Sequence, residues 1–450
     1  MIRIFKHYVA LPLLILGSIE FIVLVVAIYL GVFVRYDNTA FQASFVSSFG
    51  PESLTFAGVF FATMFALGLY ERENSRDLHI VFVRLTSSFG IAFLILALVY
   101  YVLPDLRIWR GAFGIAALTA LAMIIGLRFA FLRVCDLSAF KRAILVLGAA
   151  EQARRIERLE MANGGAHGFT CMGFVPIGEG RILVDPKRLI TGVNALADFA
   201  LERGIEEIVV AVRDRRAGLP VEALLDCKLE GMTVTDYSSF WERETGRVDL
   251  DVMYPSWLIY SDGFGGGRLR TVGKRLFDVV FSILMLILAL PMLVLAALTV
   301  RLESPGPVFY RQERVGLNGH PFMLFKFRSM RADAEGDGKP KWAAVNDDRV
   351  TRCGAFLRRT RIDEIPQIVN VLRGDMSFVG PRPERPFFVD KLGHELPYYK
   401  DRHRVKPGIT GWAQLNYPYG ASVEDAREKL QYDLYYVKNY SIFLDLIIML

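Results

Sequence analysis

The sequence predicts a membrane protein of mixed class: a bundle of four transmembrane helices, a small α/β domain and a further C-terminal domain. Composition is the first indication. Of 450 residues, 53% are hydrophobic and 22% are charged, with a mean hydropathy of +0.33. That is too apolar for an ordinary soluble chain and too charged for membrane helices throughout. The second indication is a crowding of long apolar stretches into the first 140 residues. The third is a change, beyond them, to short apolar runs alternating with helical periodicity. The net charge of +6 is spread along the chain, which argues against a nucleic-acid partner and suits an anionic membrane surface and phosphorylated substrates.

The apolar stretches lie near 9–34, 53–70, 80–103 and 111–132, each close to the roughly 20 residues that cross a bilayer as a helix. Arg3 and Lys6 precede the first. The connector after it sets Arg35 against Asp37 and Glu52, and Arg128, Arg133, Lys141 and Arg142 follow the fourth. The positive-inside rule then places both ends of the bundle in the cytoplasm. The first stretch is too long for the apolar core of a signal peptide and lacks a small-residue cleavage site, so it reads as a signal anchor. Cys135, Cys171, Cys227 and Cys353 stand far apart, a pattern of free thiols rather than of a disulfide framework or zinc site.

Residues 141–260 read as a Rossmann-like domain. Ala143-Ile144-Leu145-Val146-Leu147-Gly148, Ile208-Val209-Val210-Ala211-Val212 and Gly231-Met232-Thr233-Val234 are strand-like, with helical patterns between them. Gly148 supplies only the first glycine of a dinucleotide fingerprint. Ala150 stands where the backbone would have to approach a pyrophosphate, so a scaffold without a clear cofactor site is expected. The glycine-rich string 261–267 marks a break, and a new domain is expected from Arg268.

Residues 279–300 are apolar and almost uncharged. Pro291 interrupts them, and a proline inside a helix removes a backbone hydrogen bond. Both flanks are basic, with Arg268, Arg270, Lys274 and Arg275 before and Arg301, Arg311 and Arg314 after. Symmetric positive flanks suit a helix, a break at Pro291 and a second helix, over about 276–302, that dips into the bilayer and returns to the same face.

A series of strings then follows in order: Lys274-Arg275-Leu276-Phe277-Asp278, Ser304-Pro305-Gly306-Pro307, Gln312-Glu313-Arg314-Val315-Gly316, Phe325-Lys326-Phe327-Arg328-Ser329-Met330, Arg361-Ile362-Asp363-Glu364-Ile365-Pro366-Gln367, Gly380-Pro381-Arg382-Pro383 and Lys406-Pro407-Gly408-Ile409-Thr410-Gly411-Trp412. Over about 268–450 the chain resembles the bacterial sugar transferases, the monotopic polyprenyl-phosphate phosphoglycosyl transferases. With residues 1–140 and 141–260 it resembles their large form, which starts exopolysaccharide or capsule repeats. Asn416-Tyr417-Pro418-Tyr419-Gly420 resembles the exosortase-associated branch.

The resemblance implies a monotopic α/β catalytic domain with a re-entrant helix, on the cytoplasmic face of the bacterial inner membrane. It implies transfer of a sugar 1-phosphate from a UDP-sugar to polyprenyl (undecaprenyl) phosphate, with release of UMP and a covalent phosphosugar on Asp363. Asp363 and Glu364 are the implied catalytic pair and the implied ligands of Mg2+. Lys326, Arg328, Arg361, Pro381, Arg382, Pro383 and Arg314 are the candidate substrate contacts, Arg314 near the lipid phosphate or as a head-group anchor. Inner-membrane lipids and a second copy of the chain are the other partners considered.

Local chemistry supports part of this. A carboxylate attacking an anionic diphosphate needs cations and N–H donors nearby. Proline is tolerated in the first turn of a helix, so Pro366 predicts a helix start near Asp363, at the positive end of the dipole. Taken alone, an aspartate there is more often a helix cap than a nucleophile. Lys326 and Arg328 alternate with Phe325 and Phe327 and are expected on one face of a strand. Pro381 and Pro383 are expected to stiffen the backbone around Arg382 for a forked phosphate contact. Many family members carry glycine then arginine where this chain has Tyr417 and Pro418 after Asn416. Tyr417 and Tyr419 are candidates for stacking on substrate or for packing. Tyr432, Tyr435, Tyr436 and Tyr440 precede an apolar tail at 442–450, which fits an interfacial helix or a core helix alike.

Overall fold

The computed structural model describes residues 2–4, 7–9, 11–35, 50–70, 78–134, 141–162, 168–178, 181–193, 195–213, 218–253, 268–331, 349–418, 420 and 422–449. Cys135, Tyr419 and the expected break at 261–267 lie outside them. The chain forms two compact units, Met1–Phe240 and Trp241–Met449.

In the first unit, α1 (Leu11–Arg35), α2 (Pro51–Ala66), α3 (Leu78–Val102) and α4 (Arg110–Val134) pack around a core that includes Leu24, Ile28, Phe56, Phe60, Leu96 and Ala120. Three of these helices contain segments long and apolar enough to cross a membrane: Leu14–Arg35, Val81–Val102 and Arg110–Phe131. The stretch expected at 53–70 is helical over only 16 residues, about 24 Å against a hydrocarbon core of about 30 Å. The carbonyls of the turn that follows it have side-chain partners. Arg84 donates to Leu67 O at 2.7 Å and Arg128 to Leu69 O at 3.1 Å. Arg128 is in turn paired with the fully buried Glu20 at 2.6 Å, which also accepts from Tyr70 at 2.5 Å.

The same unit carries a parallel sheet of β1 (Arg142–Leu147), β2 (Phe169–Val175), β3 (Glu207–Val210) and β4 (Thr233–Asp236), in the order β2-β1-β3-β4. The central strands are uninterrupted apolar runs because both faces are covered, with Leu145, Val146, Ile208 and Val209 fully buried. Strand β2 went unrecognised in the sequence: its residues alternate between buried and exposed, and a threonine and a glycine break the apolar run. Gly148 has φ +124, and a Cβ there would stand 2.4 Å from Ala211 O. The close approach of β1 and β3 accounts for this glycine.

The second unit starts earlier than the sequence suggests. Val248, Leu250 and Met253 pack with Val315, Leu392, Leu430 and Leu434 rather than continuing the α/β sheet. Its longest element is α5 (Arg268–Glu303), 36 residues, and Arg270–Glu303 is a further segment long and apolar enough to cross a membrane. Here the expected interruption does not occur, since α5 stays helical through Pro291. Proline deprives the helix of one bond, to Ile287, and the turns on either side remain helical.

Both ends of α5 are tied to this one unit. Near its start, Arg275 donates to Val371 O at 2.5 Å and Leu372 O at 2.7 Å, Lys274 pairs with the buried Asp445 at 2.5 Å, and Asp278 accepts from Ser377 at 2.9 Å. At its end, Glu303 accepts from Cys353 N at 3.0 Å, and Ala296 and Val300 pack on Phe327 and Leu357. Between these anchors Ile287, Leu290 and Leu295 are more than half exposed.

Strands β5 (Phe309–Val315) and β6 (Pro321–Phe327) form an antiparallel hairpin; β7 (Ser377–Val379) and β8 (Gly408–Thr410) pair in parallel. Helix α6 (Ile368–Arg373) lies against β6, where Asn370 accepts from Phe325 N at 3.1 Å and donates to Met323 O at 2.7 Å. A long helix, α7 (Val423–Asn439), buries Leu430, Leu434 and Tyr436, and α8 (Ile442–Met449) follows. Leu444 and Ile448 of this tail are core, whereas Ile442 and Leu446 are about 40% exposed.

The glycines of the Gly380 and Gly408 strings mark a backbone crossing. A Cβ on Gly408 would lie 2.1 Å from Gly380 N, and one on Gly380 would lie 2.3 Å from Lys406 O. Gly408→Ala is therefore expected to cost on the order of 3 kcal/mol and to lower the thermal midpoint by about 6–12 °C, measured by unfolding in detergent.

Candidate active site

A 310 turn, Ile362–Gln367, runs directly into α6 and carries Asp363, Glu364 and Pro366. The helix start expected from Pro366 is present, as a tighter turn. It opens on Arg361, whose φ of 59° is unusual for a residue with a side chain and marks local strain beside the carboxylates.

The two carboxylates have different surroundings. Glu364 Oε1 accepts from Lys326 Nζ at 2.8 Å and from Arg382 Nη2 at 2.7 Å, and Arg361 stands 3.7 Å away. Burial opposes its ionisation, but Arg382 and Lys326 outweigh burial and hold the carboxyl at about 2. Asp363 is 6% exposed and makes no hydrogen bond or ion pair among the described residues. Burial pushes its carboxyl above the usual range, Glu364 adds to this, and Lys326, Arg358 and Arg361 oppose it. Lys326 is itself pushed down by burial and by Arg382. The result is an ionised anchor beside a carboxyl group that has no hydrogen-bond or ion-pair partner among the described residues.

Of the residues singled out in the sequence, Asp363, Glu364, Lys326, Arg361 and Arg382 come together. Arg328 does not. Its guanidinium is buried at the end of α5, donating to Pro305 O at 3.0 Å, Ser304 O at 2.7 Å and Ser304 Oγ at 2.8 Å. It follows the last residue of β6, so the strand alternation that placed it beside Lys326 no longer holds. Arg314 donates to Pro383 O at 2.9 Å and Gln312 Oε1 at 2.6 Å, which makes it a support of the Arg382 loop. Pro381 and Pro383 flank Arg382 as expected; Pro381 O accepts from Gly408 N at 3.0 Å. Tyr417 donates to Asp425 at 3.0 Å. Sequence reasoning overlooked Asn370 and the buried pair of Arg402 and Asp433, at 2.7 Å, because polar residues scattered over 60 positions carry no periodic signal.

The fold and this cluster define a membrane-associated protein whose second unit presents two adjacent buried acids among cations. The model of the bacterial sugar transferases matches residues 269–450. The UDP-N-acetylgalactosamine-undecaprenyl-phosphate N-acetylgalactosaminephosphotransferase of Aeromonas hydrophila is 40% identical over 244 residues, 54% of this chain and 57% of that protein. The UDP-glucose:undecaprenyl-phosphate glucose-1-phosphate transferase of Xanthomonas campestris pv. campestris is 45% identical over 177 residues, 39% of this chain and 37% of that protein. The protein of the same name from Caulobacter vibrioides is 45% identical over 191 residues, 41% of this chain and 71% of that protein. The chain belongs to the bacterial sugar transferase family. Its match spans only about a third to just over half the length of the first two relatives.

The depressed carboxyl of Glu364 contributes stability that is present above its ordinary value of 4.5 and lost as pH falls through about 2. Glu364→Gln is expected to lower stability at neutral pH by on the order of 3 kcal/mol. The deficit relative to wild type should shrink as pH drops from 4.5 towards 2, read as thermal midpoints across that range.

Proposed function

We propose that this chain transfers a sugar 1-phosphate from a UDP-sugar to polyprenyl phosphate through a covalent phosphosugar on Asp363. The observation that carries the reading is the contrast between the carboxylates. Glu364 is committed to Lys326 and Arg382; Asp363 is buried at the start of a helix, its oxygens without a hydrogen bond among the described residues. An Asp363 oxygen attacks the β-phosphorus, the bond from that phosphorus to the bridging oxygen breaks, and UMP departs with that oxygen. A phosphate oxygen of polyprenyl phosphate then attacks the same phosphorus, forming the polyprenyl-diphosphate sugar and restoring the carboxylate. Catalysis here is positioning and charge neutralisation. Lys326 and Arg382 are suited to the diphosphate and the departing phosphate, and the 70%-exposed Arg361 side chain is available to the nucleotide side.

Magnesium fits these residues. The hydrogen bonds of Glu364 fall on Oε1, leaving Oε2 and the Asp363 oxygens as hard donors, and a magnesium ion commonly takes one or two carboxylates with the rest from phosphates and water. When bound it would neutralise diphosphate charge. Among the described residues there is no group of three or more His, Cys, Asp or Glu that could hold a metal, so substrate oxygens would complete its shell.

Helix α5 is read as re-entrant. A spanning helix delivers its ends to opposite faces of the bilayer, whereas both ends of α5 are bonded to one unit, with Pro291 as the natural site of a bend. The positive flanks favour the cytoplasmic face of a bacterial inner membrane. There the product would initiate an exopolysaccharide or capsule repeat, with membrane lipids around α5 and self-association left to residues 1–240.

Purified wild type in detergent, given a panel of UDP-sugars with polyprenyl phosphate and Mg2+, is expected to release UMP with at least one of them. Asp363→Asn should lower this at least about a thousandfold, and label from a β-32P UDP-sugar should attach to wild type but not to the variant. Undiminished transfer by Asp363→Asn would refute the mechanism. The rate should also decline with falling pH at values above the ordinary aspartate range, because the raised Asp363 carboxyl becomes protonated there.

A further inference from the structure

The loop that carries Arg382 is held by successive carbonyls. Pro381 O accepts from Gly408 N at 3.0 Å, and Glu384 O accepts from Val315 N at 2.9 Å. Pro383 O accepts from Arg314 Nη1 at 2.9 Å, and Arg382 O itself accepts from Arg402 Nη2 at 3.0 Å. Backbone donors hold two of the four and side chains the other two, and Arg402 is much the more deeply placed of those side chains.

Arg402 lies on a 310 segment, Tyr399–Arg404, and is 5% exposed. One guanidinium serves three partners. Nη1 donates to Tyr399 OH at 2.9 Å, whereas Nη2 reaches both Arg382 O and, at 2.7 Å, Asp433 Oδ2 on α7. Tyr399 and Asp433 are 4% and 3% exposed. A buried charge pair is a weak source of net stability, because desolvation offsets most of the attraction. What it does supply is a rigid fork in a fixed plane. The fork ends on the backbone of Arg382, whose side chain bonds Glu364 at 2.7 Å, beside the proposed nucleophile.

We propose that Arg402, oriented by Asp433 and Tyr399, is a positioning residue that sets Arg382 against Glu364 by fixing the Arg382 carbonyl. The inference rests on the transferase reading above. Arg402 touches neither carboxylate, so its influence on the reaction passes through Arg382. A lysine at 402 keeps a positive charge for Asp433 but cannot serve three partners in one plane.

The test is a double-mutant cycle on full-length protein in detergent, with UMP release as readout and thermal midpoints as the check of folding. Wild-type release is the control for the transferase reading; without it that reading and this inference fall together. With it, Arg402→Lys is expected to lower kcat on the order of a hundredfold, the scale of a misplaced active-site group. In an Arg382→Ala background the same substitution should change kcat less than about threefold, because the effect travels through the side chain already removed. Equal losses in both backgrounds would show that Arg402 acts by another route, and an unchanged kcat for folded Arg402→Lys would show that it does not act at all. Either result overturns the inference while leaving the reaction intact. If Arg402→Lys does not fold, Tyr399→Phe takes its place in the cycle, removing one hydroxyl partner and keeping the charge pair. A smaller loss, again absent from the Arg382→Ala background, is then expected.

Discussion

Two cations meeting one carboxylate oxygen organise the second unit. Lys326 arrives on β6 and Arg382 on the loop after β7, and both bond Glu364 Oε1 within 2.8 Å. Each element is then secured by contacts that would otherwise look unrelated. Asn370 pins β6 to α6, Arg275 caps the last carbonyls of α6, and Asp278 holds β7 from the membrane helix. Like charges brought this close repel, and Glu364 offsets that repulsion at the cost of its own proton affinity. Its neighbour is left with burial as the dominant influence, which is why adjacent acids depart from their ordinary values in opposite directions.

The membrane-facing parts follow a related constraint: a polar group removed from water must find a partner inside the protein. Helix α2 has only 16 residues, and Arg84 and Arg128 supply donors to carbonyls of the turn that follows it, with Glu20 neutralising Arg128. Arg328 does the same at the end of α5, where Gly306 leaves room for the guanidinium: a Cβ there would sit 2.2 Å from Nη1. Several arginines that read as surface or substrate charges are in this way committed to backbone carbonyls. That limits how many remain to meet the anionic substrate proposed above.

Much was legible in the sequence where the signal was local. Three membrane helices, the apolar central strands and the helix start at Asp363 each follow from composition or spacing within a few residues, and the ordered strings brought Lys326, Asp363, Glu364 and Arg382 into one proposed site. Other readings failed for identifiable reasons. Strand β2 alternates and was overlooked, residues 241–253 joined the wrong domain because their packing partners lie far along the chain, and Arg328 was assigned by extending strand alternation one residue past the end of β6. The break at Pro291 was inferred from proline chemistry and from the symmetric basic flanks, whereas one lost hydrogen bond is a small part of a 36-residue helix.

The sequence by itself determined which segments are apolar enough for a membrane, which glycines and prolines punctuate the chain, and which family the ordered C-terminal strings belong to. Those properties are written in composition and order. Only the tertiary structure decided which cation does what, because a guanidinium serves whatever acceptor the fold brings within 3 Å. It turned Arg314 and Arg328 towards backbone carbonyls, and it buried Arg402 with Asp433 beneath the Arg382 loop. It also separated two neighbouring acids, binding Glu364 to its cations and leaving Asp363 without a partner among the described residues.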